Sequence, residues 1–205
     1  MKKILSELLA RLKTLREEEL PAIGNGFTNP DVKALNQLVT DVDLRFEHKL
    51  VAICKELLPD SGFLTEEKTV EESGDSRYRW IIDPIDGTTN FIHRIPAFAI
   101  SIALQDNSKT IMGVIYELNR DEQFYALEGE GAFLNGEPIQ VASNLELKDT
   151  LIATGFPYYD FEQMQEYLNV LRRFMEKTRG LRRIGSAAVD LAYTACGRFD
   201  GFFEY

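Results

Sequence analysis

Cysteine and histidine are scarce: two of each in 205 residues, and neither type is spaced as a metal or redox motif. Cys54 and Cys196 stand far apart, each inside an apolar helical pattern, which excludes a CxxC redox pair and a cysteine-based zinc site. Both are expected to be buried thiols in a reducing cytoplasm. His93 has no carboxylate partner in sequence, so a structural or surface role is expected for it, and His48 falls on a solvated helix face. No apolar run approaches the roughly 20 residues of a membrane span. Lys2 and Lys3 open the chain as a signal peptide would. However, Glu7, Arg11, Lys13, Arg16 and Glu17–Glu19 interrupt every apolar core that follows, so a soluble, cytoplasmic protein is expected. A basic stripe is missing too. With 33 acidic against 23 basic residues the net charge is −10, a surface that repels phosphate backbones. Nucleic acid and membrane are therefore not expected partners. The same field repels a small phosphate ester unless a cation reverses it locally.

What is present is a core-forming composition, 44% hydrophobic, without repeats or low-complexity segments. Ile4, Leu5, Leu8, Leu9, Leu12 and Leu15 recur at helical spacing and predict a first helix that ends before Pro21. Gly24–Pro30 reads as a turn-rich loop. Phe46, Leu50, Ile53 and Leu57 share one face of a helix following Asp43, which Pro59–Gly62 stops. Phe63–Leu64 is a short strand leading into Thr65-Glu66-Glu67. Tyr78–Ile82 is a β-prone run ending at Asp83-Pro84, and Ala97–Leu104, Thr110–Tyr116 and Gln123–Leu127 read as further strands. Asn135-Gly136 marks a hairpin before Pro138–Val141. A polar linker, Ser143–Asp149, precedes the strand Leu151–Thr154, a helix over Phe161–Met175, a helix from a Ser186 cap to Cys196, and strand composition in Asp200–Tyr205. This order predicts a layered α+β architecture rather than a doubly wound sheet, with one domain over residues 1–142 and a second starting over 143–205.

The informative segment is Trp80–Asn90, WIIDPIDGTTN. A buried strand delivers Asp83 at its carboxyl end, Pro84 stiffens the turn, and Asp86 follows close enough to share a cation. Gly87 permits close backbone approach, and Thr88-Thr89-Asn90 opens a short helix whose first N–H groups lack intrahelical partners. Two carboxylates 4 Å apart repel by about 4 kcal/mol at an effective dielectric near 20, so they call for a cation between them. Oxygen donors without cysteine or histidine select Mg²⁺, or Mn²⁺, over zinc. The bland alternatives are turn aspartates at Asp83 and Asp86, a solvated acidic pair at Glu66 and Glu67, and helix N-caps at Asp43, Thr88 and Ser186.

The string DPIDGTTNFIHRIP, the upstream LVTDVD and TEE, and the later GAFLNGEPIQVA and RRIGSAAVDLAYTACGRFDGFFEY resemble the inositol monophosphatase family, in order from about Leu35 to Tyr205. The resemblance implies the αβαβα sandwich of the sugar-phosphatase type. It implies Mg²⁺-dependent, lithium-sensitive hydrolysis of a small phosphate monoester, inositol 1-phosphate first, by a homodimer. Glu66, Asp83 and the carbonyl of Ile85 would hold a first Mg²⁺, and Asp83 with Asp86 part of a second. Thr88 with Asp43 would orient the attacking water, and the N–H groups of Gly87 and Thr88 would cradle the phosphate. Asp86, Ser186, Ala187 and Glu204 would contact the polyol hydroxyls. In the family, the strand matching Gly201–Tyr205 is soon followed by a Trp-Asp pair whose aspartate completes the second metal site. This sequence stops at Tyr205, so the C-terminal part of the sandwich is expected to be incomplete, and turnover by these 205 residues alone does not follow from the resemblance. Two rivals stand beside it: a related phosphatase of fructose 1,6-bisphosphate, adenosine 3′,5′-bisphosphate or histidinol phosphate, and a metal- or phosphate-binding protein without turnover.

Overall fold

The leucine stripe of the first segment needs a partner surface, and in the structure (a computed structural model) it finds one. Residues 1–23, 31–34, 37–39, 41–71, 76–143, 146–157 and 161–205 are described; the expected loop Gly24–Pro30 and part of the linker 143–149 lie outside them. Helix α1 (Lys2–Ile23) buries Leu5, Leu8, Leu12 and Leu15. It continues two residues beyond Pro21, contrary to the expected stop. Pro21 falls in the final turn, where its missing N–H removes one intrahelical bond and leaves no later turn unsupported. A short antiparallel pair, β1 (Asp31–Ala34) and β2 (Gln37–Val39), precedes α2 (Asp41–Leu57). Phe46, Leu50, Val51 and Cys54 of α2 are buried in the same core.

The described residues form two compact units, Met1–Pro138 and Ile139–Tyr205. In the first, seven strands lie in sequence order: β3 (Gly62–Thr65), β4 (Tyr78–Asp86), β5 (Ala99–Asp106), β6 (Lys109–Glu117), β7 (Glu122–Leu127), β8 (Gly131–Leu134) and β9 (Glu137–Pro138). Only β3–β4 is parallel, and the rest are antiparallel neighbours. The short helix α3 (Thr88–Ile92) interrupts the path from β4 to β5. Asn135 and Gly136, with φ of 49° and 92°, form the two-residue turn between β8 and β9, the geometry that suits the twist of a hairpin. Strand alternation puts Trp80, Ile82, Ile102, Leu104, Met112 and Val114 into one core with α1 and α2. Leu8 is fully buried there. Leu8→Ala is therefore expected to cost about 2–5 kcal/mol, read as a lower urea midpoint with an unchanged slope.

The second unit is a three-stranded parallel sheet in the order β11–β10–β12, with β10 (Leu151–Thr154), β11 (Gly180–Arg182) and β12 (Gly201–Phe203). Helices α4 (Met164–Lys177) and α5 (Ala187–Ala195) supply its two crossovers. Tyr167 of α4 is buried, with its ring 5.8 Å from that of Phe203. Cys54 is fully buried, whereas Cys196, expected to be buried, is half-exposed because it caps the C-terminal end of α5. No helix among the described residues is long and apolar enough to cross a membrane.

Candidate active site

Asp83 is paired with Ser101 across β4–β5, and the next pair is Asp86 with Ala99. Three steps on β4 oppose two on β5, so one extra residue is inserted at Pro84–Ile85. Pro84 has no N–H to lose, and a bulge bends the strand end and re-aims its side chains. The strand thus runs through to Asp86 instead of ending at Asp83-Pro84. Burial raises the affinity of the Asp83 carboxyl for its proton. The charge of Glu66, a hydrogen bond with Glu66 and the charge of Asp86 push the same way, while the Ile85 N–H opposes them; the result is a pKa of about 9. Its Oδ1 is buried without a hydrogen-bond partner.

Asp83 and Glu66 thus form a pair that keeps a proton at neutral pH, with Asp86 acting on it through space. Among the described residues no three acidic, histidine or cysteine side chains are drawn together closely enough to hold a metal by themselves. A divalent cation taking the place of the proton would relieve the desolvation penalty and give the orphaned Oδ1 a partner, and hard oxygen donors suit Mg²⁺. The donor set fits the ion. Beside the pair a cleft of about 370 Å³ is lined by Leu64, Lys68, Ile81, Ser101 and Ala103 among others.

Thr88 stands one residue after Gly87, whose φ of 96° is the left-handed turn that opens α3. The Thr88 hydroxyl lies 3.0 Å from the carbonyl of Ile85 and 3.3 Å from Asp43 Oδ1. It has one proton and so donates to one of them at a time. Asp43 is 1% exposed and lies within the first turn of α2, which begins at Asp41. Asp43 is therefore the third residue of the helix rather than its N-cap, and its carboxylate meets Thr88 instead.

Of the residues singled out from sequence, the structure pairs Glu66 with Asp83, with the charge of Asp86 acting on Asp83, and sets the Thr88 hydroxyl between Asp43 and the Ile85 carbonyl. Ser186, Ala187 and Glu204 belong to the second unit. Ser186 caps α5, accepting from the Val189 N–H at 3.2 Å, and Ala187 is its first helical residue. Glu204 follows β12, and its carboxylate covers Gly155: a Cβ built there would lie 2.1 Å from Glu204 Oε1. Any larger residue at 155 would displace that carboxylate. The Tyr167 hydroxyl, its pKa raised by burial and by the charge of Glu204, donates to the Gly155 carbonyl at 2.8 Å.

Sequence reading missed Gly155, and it missed Glu47. Glu47 is buried in α2 one turn after Asp43. A carboxylate falling in register with Asp43, Leu50 and Cys54 on the core-facing side of a helix was the available signal.

The inositol monophosphatase family model matches residues 1–205, the whole sequence. The chain belongs to the inositol monophosphatase family. The inositol-1-monophosphatase of Mesorhizobium japonicum is 43% identical over 173 residues, covering 84% of this chain and 65% of that relative. The Nus factor SuhB of Escherichia coli K12 is 40% identical over 187 residues, covering 89% of this chain and 70% of that protein. The crystal structure of the extragenic suppressor protein suhB from Bartonella henselae superposes with a TM-score of 0.89 at 38% identity, covering 98% of this chain and 78% of that one. The chain therefore spans about two thirds of the length of the curated relatives it matches. The α+β layered class expected from sequence is that of these family members.

A pH dependence follows from Asp83. Its folded pKa of about 9 stands above the ordinary carboxylate value, so between about pH 4 and pH 9 the folded chain holds a proton that the unfolded chain has lost. Stability of the metal-free protein from this group falls as pH rises through that window. A cation that replaces the proton binds more tightly as pH rises. At one fixed Mg²⁺ concentration the Mg²⁺-induced rise in Tm is expected to be larger at pH 8.5 than at pH 6, by about 2–4 °C for each kcal/mol of binding gained. A Mg²⁺ shift that does not vary with pH would contradict this.

Proposed function

We propose that this chain carries the metal site of a Mg²⁺-dependent phosphomonoesterase acting on inositol 1-phosphate or a close analogue. One observation carries the reading: a half-buried carboxyl, Asp83, pressed against Glu66 with an oxygen that has no partner. In this reading Glu66, Asp83 and the Ile85 carbonyl hold a first Mg²⁺, and Asp83 and Asp86 hold part of a second; Mn²⁺ would serve the same donors. When bound, the ion neutralises the acidic field and polarises the phosphoryl oxygens. Were the Ile85 carbonyl to hold the ion, the Thr88 hydroxyl would donate to Asp43 Oδ1, and its lone pairs would be left to accept from the attacking water. The N–H groups of Gly87 and Thr88 would donate to phosphoryl oxygens. Asp86 would contact a polyol hydroxyl. Positioning and charge neutralisation suffice for this chemistry, and no covalent intermediate on the protein is needed.

A cytoplasmic homodimer inhibited by lithium goes with the same reading. Phosphate release from inositol 1-phosphate is expected in Mg²⁺ and not in chelator; equal rates in both would overturn the proposal. A kcat/KM panel with fructose 1,6-bisphosphate, adenosine 3′,5′-bisphosphate and histidinol phosphate decides the substrate. The Escherichia coli relative carries the name of a Nus factor, which favours a second reading: a protein that binds Mg²⁺ and acts through macromolecular contacts. Mg²⁺ binding with no phosphate release from any of the four esters would support it.

A further inference from the structure

Glu47 has 0% of its surface exposed, and its carboxylate is held by one short segment of chain. Oε2 accepts from the Glu67 N–H at 2.7 Å, and Oε1 accepts from the Thr69 N–H at 2.9 Å and the Thr69 hydroxyl at 2.7 Å. Lys68, between the two amide donors, has a φ of 56°, the left-handed region that a lysine rarely adopts. That turn points the N–H groups on either side of Lys68 at one anion, an arrangement akin to backbone nests. The segment begins where Glu66 leaves β3, its own amide bonded to the Ile82 carbonyl at 3.1 Å. Glu66 is thus clamped on both sides: by the strand pair behind it and by Glu47 ahead of it. One turn earlier on the same helix, Asp43 meets Thr88. Helix α2 therefore holds both limbs of the site, the Glu66 limb through Glu47 and the Thr88 limb through Asp43.

We propose that Glu47 is a positioning residue for the cation site: it aims Glu66 at Asp83 and so sets the affinity for the divalent ion without touching it. The inference rests on reading the Glu66–Asp83 pair as that site. A buried carboxylate surrounded by donors also explains why the left-handed Lys68 is retained, since an extended segment would turn its amides away from it. Support of this kind behind a ligand commonly changes metal affinity by roughly 10–100-fold when removed.

The test is calorimetric titration of the full chain with Mg²⁺ or Mn²⁺ alone, comparing wild type with Glu47→Gln. The glutamine has the same size but presents NH₂ where the protein presents N–H, so at least one of the three bonds is lost. Binding is expected to weaken roughly 10–100-fold, and the amides of Glu67 and Thr69 are expected to lose protection from hydrogen exchange. Unchanged affinity, even with a lowered Tm, would mean that Glu47 only packs, and would overturn the proposal while leaving the cation site intact. A wild type that binds neither ion would overturn both. Thr69→Val removes one donor and little volume. If Glu47→Gln does not fold, this variant decides: a weaker shift in the same direction supports the proposal and an unchanged affinity overturns it.

Discussion

Asp83→Asn is expected to lower kcat/KM for Mg²⁺-dependent phosphate release by about a thousandfold or more while leaving the fold intact. A ligating carboxylate supplies several kcal/mol of charge stabilisation through the ion it holds, and about 4 kcal/mol corresponds to three decades in rate. Misfolding is separable from this loss. In the metal-free chain the Asp83 carboxyl retains its proton at neutral pH, because burial and Glu66 raise its pKa to about 9. Asparagine is a neutral side chain of the same shape, so it reproduces the state already present. Tm without metal should therefore change little at pH 7, and the Mg²⁺-induced rise should disappear. A variant that keeps wild-type turnover, or one that loses turnover only because it unfolds, would contradict this view of Asp83. Circular dichroism melts in chelator and in Mg²⁺, beside the phosphate assay, distinguish the cases.

Thr88→Val should cost about a hundredfold or more in kcat, with a smaller change in KM. Valine keeps the branched shape and removes the hydroxyl that lies between Asp43 Oδ1 and the Ile85 carbonyl. A misdirected water loses the orientation and proton transfer that a positioned group supplies, typically two to four decades. Asp43→Asn should fall by a comparable factor, since an amide nitrogen facing Thr88 reverses the direction of that hydrogen bond. The two losses should not add, because both variants disable one unit. Thr88→Ser keeps the hydroxyl and should recover most of the rate. If Thr88→Val retained full kcat, the hydroxyl would only tie the start of α3 to the Ile85 carbonyl and Asp43.

The strands and helices that carry these residues were legible where periodicity was strong. The leucines of α1, the alternation through β4 to β7 and the Asn135-Gly136 turn are local patterns, and their elements stand where the patterns put them. Local signals were weakest at ends. Pro21 is tolerated inside the last turn of α1, and α2 begins two residues ahead of Asp43. The bulge at Pro84–Ile85 could not be read either, since it is defined by register against Ser101 and Ala99 of another strand. Asp83, Asp86, Gly87 and Thr88 lie within six residues of one another, and so a motif exposes them. Asp43 and Glu66 come from a separate helix and strand, and the contacts that give them partners, to Thr88 and Asp83, are long-range. Glu47 illustrates the limit: its sequence neighbours say helix, and only the fold reveals that three donors from Glu67 and Thr69 converge on it.

Everything turns on whether a cation replaces the proton shared between Glu66 and Asp83. Mg²⁺ titration by calorimetry at pH 7.5, in two buffers of different ionisation enthalpy, measures binding and proton release together. The expected result is binding by the wild type with about one proton released per ion, lost in Asp83→Asn. Equal binding by both proteins with no proton released, or none by either, would contradict it.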